Sequence, residues 1–415
     1  MENELFTLFG KAVTVGTALI PVFAGVIGLF TNWVAIKMMF LPINWVGVKM
    51  PFKILGFPVF GWQGIIPSKA AKMGSIAVDT GLAKLGSMSE FYKEFEPEVL
   101  SAHIVAASRD EVHATVDQIL QREYAELWKA APAPVKALVH AQVEAQLPAI
   151  VAKVMTGIGE NIDHLVDLKL MVIRHMEKDP RLINRVFQEV GAKEFRFIIN
   201  SGGWMGFLLG LGPMAAWLYV PEWWTVPIGA AIVGYATNWI ALKVIFQPIE
   251  PVKIGPFTLH GLFLRRQDEV AQEYSHLIAH DIVTLPNIAT TMIHGPEGDR
   301  TRRLIADTLD PVVDDAVGLA RPLVQAATLG RYESLKDQLA ATAADSTIGT
   351  LDDTEFAVGR AEALKALLAE RMRELSYRDF AQMLRSAFEE DEWMLIVVGA
   401  ALGFGAGVVQ LALTL

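Results

Sequence analysis

The segment TNWVAIKMMFLPI, at Thr31–Ile43, returns almost unchanged as TNWIALKVIFQPI at Thr237–Ile249. The two copies align with a shift of 206 residues, and eight of the thirteen positions are identical. Each copy lies at the end of an apolar stretch that approaches the roughly 20 residues needed to cross a bilayer core. We therefore expect one membrane-associated unit that the chain uses twice.

The repetition continues beyond these two segments. After a connector rich in Pro and Gly the shift becomes 197, which aligns Gly64 with Gly261 and Lys69 with Arg266. The same shift aligns a first glycine triplet, Gly202, Gly206 and Gly210, with a second, Gly399, Gly403 and Gly407. Glycines at every fourth position share one helix face and allow close backbone packing. These six glycines are predicted helix-packing residues, and the sequence leaves open whether they pack within one chain or between chains.

Four apolar stretches predict four transmembrane helices. The first has no small-residue cleavage site after it, so we expect it to stay in the mature protein. The second and third form a hairpin whose tip carries Trp223 and Trp224, as in an interfacial aromatic belt. The stretches run from Ala12 to Leu41, Phe197 to Val220, Thr225 to Phe246 and Trp393 to Leu415.

The predicted fold is mainly α, with four transmembrane helices in two parallel repeats. Each repeat has a helix, a cytoplasmic helical domain with a short β-hairpin, and a Gly-rich helix. The predicted boundaries are 1–42 for helix 1, 43–195 for the first cytoplasmic domain, 196–248 for the hairpin of helices 2 and 3, 249–392 for the second cytoplasmic domain, and 393–415 for helix 4.

Basic residues next to the predicted spans set the expected orientation. Lys37, Lys193, Arg196, Lys243 and Arg265 lie on the side of the two polar segments, whereas the other side has only Lys11. The positive-inside rule therefore predicts a multi-pass protein of the bacterial cytoplasmic (inner) membrane with both large domains in the cytoplasm.

Composition excludes several classes of function. Hydrophobic residues make up 52% and charged residues 20% of the chain, which is more apolar than a soluble protein. The net charge of −10 argues against a nucleic-acid partner, which would need clustered Lys and Arg. The absence of Cys excludes disulfides, thiolate catalysis and Cys-based zinc sites.

Polar residues inside the apolar stretches are the candidate site residues: Thr31, Asn32, Trp33 and Lys37, with Thr237, Asn238, Trp239 and Lys243. Asn and Lys are costly in lipid and usually face protein, water or a headgroup. The two asparagines could pair with each other or line a polar site, but we expect interhelical hydrogen bonds worth about 1 kcal/mol. The lysines are about 140° further around the helix, so we expect them to extend towards the cytoplasmic headgroups.

Enzyme signatures are lacking. Glu273, His276, His280 and Asp281 cluster at helical spacing, which can hold a metal, but the Glu of an HExxH motif is absent and the neighbours are polar. We expect a solvated helix face there, with no metal site and no cofactor. The sequence also has no phosphate-binding glycine loop and no G-x-S-x-G elbow, so we expect no enzymatic activity.

The TNWxAxK segment, the following FxPI, the stretch Gly64 to Lys69 and the glycine-rich closing span together resemble the bacterial membrane-protein family called domain of unknown function 445, of the YheB/YjiN type. The resemblance covers nearly the whole chain. The second copy departs from the pattern at Leu264 and Arg265, where the first has Pro67 and Ser68. The resemblance implies an inner-membrane location and no particular activity.

Two classes of function follow from these observations. The first is an oligomeric, membrane-anchored scaffold or envelope-organising protein, whose partners are the lipid bilayer, further copies of the chain and proteins that bind its cytoplasmic helices. The second is a solute or lipid transporter or channel that uses the Asn-bearing spans. We favour the scaffold because the spans carry no carboxylate that could couple transport to an ion.

Overall fold

The computed structural model describes residues 4–8, 11–48, 53–54, 57–58, 61–123, 125–317, 354–386 and 389–414. The described residues form mainly helices. They divide into two compact units, each assembled from separate stretches of the chain. Unit 1 comprises Met1–Leu82, Ile173–Tyr274 and Arg371–Leu415, and unit 2 comprises Ala83–Val172 and Ser275–Glu370.

The α-helices are α1 Val15–Phe40, α2 Ile65–Ser68, α3 Ala70–Ala77, α4 Ala83–Leu85, α5 Met88–Glu94, α6 Pro97–Glu123, α7 Ala125–Ala130, α8 Ala133–Leu165, α9 Leu168–Lys178, α10 Pro180–Val190, α11 Ala192–Tyr219, α12 Thr225–Phe246, α13 Gln267–Leu277, α14 Leu285–His294, α15 Gly298–Val317, α16 Thr354–Glu374, α17 Tyr377–Arg385 and α18 Glu392–Thr414. Short π-helical turns follow at Val78–Leu82 and Ile278–Ile282, and 3₁₀ turns at Leu264–Arg266 and Glu389–Asp391.

The described strands form antiparallel two-stranded sheets. They are β1 Glu4–Leu8 with β2 Lys11–Thr14, β3 Val46–Gly47 with β6 Gly61–Trp62, β4 Lys53–Ile54 with β5 Phe57–Pro58, and β7 Val252–Ile254 with β8 Phe257–Leu259. Residues 49–52, 55–56 and 59–60 of the first connector lie outside the described residues. Both connectors thus contain short strand pairs, where the sequence predicted a short β-hairpin.

The first apolar helix begins three residues later than the sequence suggested. Lys11–Thr14 pair as a strand with Glu4–Leu8, and the helix starts at Val15. The Thr14 side chain accepts a hydrogen bond from the Thr17 amide and caps the helix. Apolar composition alone did not reveal this boundary, because Ala12 and Val13 are equally compatible with a strand.

In unit 1, α1 packs against α11 and α12 packs against α18, while α11 also packs against α12 and α1 against α18. Each of these helices buries one face and exposes large apolar side chains on another. Examples are Phe30 in α1, Phe207 in α11, Ile232 in α12 and Val409 in α18. In water such a surface would be unfavourable, and in lipid it is the expected outer surface.

Among the described residues, three helices are long and apolar enough to cross a membrane: Val15–Phe40, Thr225–Phe246 and Glu392–Leu413. The helix α11, which contains the second predicted span, is not among them. It begins five residues before the predicted span, with Lys193, Glu194 and Arg196 in its first turns. Asn200 and Ser201, together with these charged residues, make α11 less apolar in composition than the other three helices.

Candidate functional site at the apolar helix pairs

The Asn32 side chain joins α1 to α11. Its amide Nδ2 donates a hydrogen bond of 2.7 Å to the carbonyl oxygen of Ile198, and the side chain is only 1% exposed. The neighbouring Thr31 hydroxyl donates to the Gly28 carbonyl of its own helix at 3.2 Å. The Asn32 amide nitrogen and the Thr31 hydroxyl are therefore hydrogen-bonded inside the protein, as buried polar groups in an apolar setting generally are. Asn32 Oδ1 is buried with no hydrogen-bond partner among the described residues.

The same arrangement joins α12 to α18. Asn238 Nδ2 donates to the Leu395 carbonyl oxygen at 2.7 Å, and the Thr237 hydroxyl donates to the Gly234 carbonyl at 3.2 Å. Ile198 and Leu395 are separated by 197 residues, the shift that aligns the glycine triplets. The asparagines thus bind the backbone of neighbouring helices and do not hydrogen-bond to each other.

Glycine permits this close contact. A Cβ added at Gly202 would lie 2.4 Å from the Gly28 carbonyl oxygen and 2.6 Å from Asn32 Nδ2. A Cβ added at Gly399 would lie 2.2 Å from Asn238 Nδ2 and 2.9 Å from the Gly234 carbonyl oxygen. No real Cβ approaches backbone or amide atoms so closely, so any larger residue would separate the helices.

The remaining predicted glycines line the same two interfaces. A Cβ at Gly206 would lie 2.6 Å from the Ala24 carbonyl oxygen, and one at Gly403 would lie 2.5 Å from that of Ala230. Gly210 and Gly407 in turn face the Cα atoms of Pro21 and Pro227, at 2.9 and 2.8 Å. The glycine faces therefore meet helices of the same chain.

The aromatic and basic members of the repeated segment lie on the outside. Trp33, Lys37, Trp239 and Lys243 are exposed, and Lys243 Nζ lies 4.5 Å from the centre of the Trp239 ring. That ring contributes to a pocket of about 330 Å³ between the ends of α12 and α18, which is also lined by Trp393 and by Arg385. Glu392 binds Arg385 there through hydrogen bonds of 2.9 and 3.1 Å.

A buried ion pair was missed by the sequence analysis. Arg266 Nη1 donates to both carboxylate oxygens of Glu194, at 2.7 and 2.8 Å, and Arg266 Nε donates to Glu269 at 2.7 Å. Glu194 is 4% exposed and Arg266 is 17% exposed. The alignment of Arg266 with Lys69 marked a repeated basic position, but nothing in the sequence indicated its acidic partner 72 residues away.

A second set of ion pairs has opposite polarity in the two copies. Lys193 pairs with Glu269, and Glu390 pairs with Lys72. Lys193 aligns with Glu390, and Lys72 aligns with Glu269, under the shift of 197. The hydrogen bond from Arg266, with a further one from Lys193, lowers the pKa of the Glu269 carboxyl to about 2. At both aligned positions the charge in one copy is opposite to the charge in the other, so each pair still joins one positive and one negative side chain.

The two histidines of the predicted cluster lie beside an acidic residue that the sequence did not place with them. His276 and His280 come together with Glu362 of α16, and the ligand atoms of all three lie within 4.8 Å of one another. Glu273 instead lies 3.9 Å from Arg266. The pKa of Glu362 is lowered, chiefly by the hydrogen bond from Lys365. The sequence could not reveal Glu362, because it lies 82 residues beyond His280.

Comparison with known proteins places the chain among membrane proteins. It is 27% identical over 146 residues to a UPF0754 membrane protein from Rippkaea orientalis, which covers 28% of this chain and 34% of the relative. It is 40% identical over 72 residues to a UPF0754 membrane protein from Microcystis aeruginosa, a match that covers 16% of this chain and 17% of the relative. It is 36% identical over 67 residues to one from Bacillus cytotoxicus, which covers 15% of this chain and 18% of that relative.

The matched regions thus span about a third or less of each of these relatives. No family model and no solved structure matches the chain. The names of the relatives state a membrane location and no activity. Together with the three apolar helices, these similarities indicate a helical protein that associates with a lipid bilayer.

Proposed function

We propose that this protein is a membrane-anchored scaffold with no enzymatic activity, built from two parallel copies of one unit and assembled as a homo-oligomer in the bacterial inner membrane. Its polar segments lie in the cytoplasm and bind partner proteins. The observation that carries the proposal is the use of both buried asparagines as interhelical links. A transport path would need polar groups facing an opening, whereas the Asn32 and Asn238 amides face backbone carbonyls across glycine contacts.

The duplication is supported by features outside the repeated segment. Helices α5 and α14 are capped by Ser87 and Thr284, and helices α10 and α17 are capped by Asp179 and Ser376. Both pairs of caps are 197 residues apart. The same turn chemistry at the same spacing is expected of two copies of one unit.

The proposal includes α11 as a fourth membrane span. Its exposed apolar side chains, among them Trp204, Leu208 and Leu211, resemble the outer surface of the three more apolar helices. Its close contact with α1 through glycine suits a helix in lipid, where association depends on packing. The short link between Tyr219 and Thr225 then turns at the membrane surface, where Trp223 is 67% exposed.

The alternative is a path for a solute or lipid, and one observation favours a lipid. An apolar pocket of about 270 Å³ lies between α11 and α12 and is lined by Phe197, Trp204, Met205, Leu208, Leu209, Ile240, Ala241 and Val244. Such a surface is suited to an acyl chain. It has no polar lining for a headgroup or solute, so the scaffold is the better supported function.

The test is a double variant, Asn32→Ala with Asn238→Ala. A scaffold should keep its cellular function as long as the variant remains folded and assembled, since each interhelical bond is worth only about 1 kcal/mol. Oligomeric state would be measured by crosslinking in membranes and by light scattering in detergent. A matched double variant, Thr31→Ala with Thr237→Ala, removes buried hydroxyls that bond only within their own helix.

Loss of function in a correctly assembled Asn32→Ala, Asn238→Ala protein, with function retained in the threonine variant, would contradict the scaffold and favour transport. A chain that is monomeric at all concentrations in both detergent and membranes would contradict the oligomer.

A further inference from the structure

We propose that His276, His280 and Glu362 form a binding site for a divalent metal ion of the Zn²⁺ class. Two imidazole nitrogens and one carboxylate oxygen lie within 4.8 Å of one another, near enough for small side-chain rotations to bring all three onto one ion. Two His and one Glu are a ligand set that Zn²⁺ uses, at about 2.0–2.2 Å from each ligand atom, with a fourth position left for water. All three residues belong to unit 2.

The orientation of the His280 ring favours metal binding. Its Nδ1 lies 3.0 Å from the His276 carbonyl oxygen. A carbonyl can only accept, so Nδ1 carries the proton and a neutral ring presents its lone pair at Nε2. Metal-binding histidines are commonly fixed by such a bond from the other ring nitrogen.

The Glu362 carboxylate faces that lone pair. His280 Nε2 lies 3.1 Å from Glu362 Oε1. A neutral His280 and a carboxylate would bring two acceptors together, so a cation must lie between them, either a proton on Nε2 or a metal ion. Lys365 Nζ donates to the other oxygen, Oε2, at 2.9 Å, which leaves Oε1 for the ion.

The backbone holds the ligands in place. His276 and His280 are four residues apart and share one helix face, with their ring centres 4.2 Å apart. The π-helical turn Ile278–Ile282 contains His280, and such turns occur often at functional sites. Its Ile278, Ala279 and Ile282 side chains are buried, as is Leu364 beside Glu362. The ligands thus project to the surface from anchored segments, where an ion can reach them.

The test measures Zn²⁺ binding to the full-length protein in detergent after treatment with a chelator. Isothermal titration calorimetry gives affinity and stoichiometry, and visible absorption of bound Co²⁺ reports the coordination by nitrogen and oxygen. The variants are His276→Gln, His280→Gln and Glu362→Gln. The control is His164→Gln, which changes an exposed histidine in the same unit. Circular dichroism and gel filtration verify that each variant is folded.

We expect one Zn²⁺ per chain in the unaltered protein and in His164→Gln. Each of the other variants should weaken binding by at least about tenfold, since loss of an outer-shell partner alone costs about 10–100-fold. Absence of Zn²⁺ and Co²⁺ binding to the unaltered folded protein would overturn the proposal and leave a His–Glu ion pair. Equal affinity in the unaltered, His280→Gln and Glu362→Gln proteins would also overturn it.

Discussion

Gly202 tests how closely α1 and α11 must approach. We predict that Gly202→Ala destabilises the protein by about 1–3 kcal/mol, the usual cost of overpacking, because the new methyl would meet the Gly28 carbonyl oxygen. Gly212→Ala in the same helix is the matched control, since nothing lies within 4 Å of its added Cβ. Thermal unfolding in detergent, monitored by circular dichroism, measures the unfolding midpoint of each variant. Equal midpoints for the two variants would show that the contact is not tight.

The buried partner of Arg266 supports a second prediction. Glu194→Gln should destabilise the protein by up to about 3 kcal/mol, because Arg266 would lose its buried carboxylate and keep Glu269 and the longer contact with Glu273. Glu189→Gln makes the same change in an exposed pair with Arg185 and should cost less than about 1 kcal/mol. Urea unfolding of both variants compares them. A similar loss in both would mean that burial adds nothing to the Glu194 pair.

Individual residues also show where sequence reasoning ends. Asn32, Asn238 and the glycines could be singled out because each stands in an apolar helix, where a polar or missing side chain is conspicuous. Glu194 and Glu362 could not, because an acidic residue outside the apolar stretches is ordinary until a distant partner is known. Their partners, Arg266 and His280, are brought to them only by the tertiary fold.

For whole elements, the apolar helices were predicted closely because lipid-length hydrophobic stretches have few alternative structures. Helix α12 spans the predicted residues, and α18 begins one residue before its predicted start. Helix α11 extends five residues further towards the N-terminus, since charged residues can continue a helix that apolarity no longer marks. The sequence predicted short strands in the connectors, but strands of two or three residues are too short for their pairing to be predicted from sequence.

The ion pairs of opposite polarity link elements far apart in sequence, and they predict compensation. Lys72→Glu alone should slightly lower the midpoint of thermal unfolding, because it faces Glu390 with a like charge at an exposed site. Adding Glu390→Lys should restore part of that loss, since the reversed pair then has the polarity found at Glu269 and Lys193. Thermal unfolding at low salt compares the stability of the unaltered protein, each single variant and the double variant. Additive losses in the double variant would show that the two positions do not interact.

For the molecule as a whole, the number of membrane spans has a direct consequence for sidedness. The chain has no Cys, so every introduced thiol is unique. Glu160→Cys, Glu222→Cys and Asp299→Cys place single exposed thiols in the first polar segment, the tip before α12 and the second polar segment. Labelling with a membrane-impermeant maleimide, in bacterial spheroplasts and after lysis, reports the side of each.

With four spans, the thiols at 160 and 299 lie on one side and the thiol at 222 on the other. If α11 does not cross, the chain returns to the membrane only at α12, so 222 shares the side of 160, and 299 lies opposite. Whatever the absolute orientation, four spans place position 222 on the side opposite to the other two, whereas three spans place position 299 there. We predict that only Glu222→Cys is labelled in intact spheroplasts, since the basic residues near the spans favour cytoplasmic polar segments. Labelling of 299 alone would establish three spans and exclude two parallel copies.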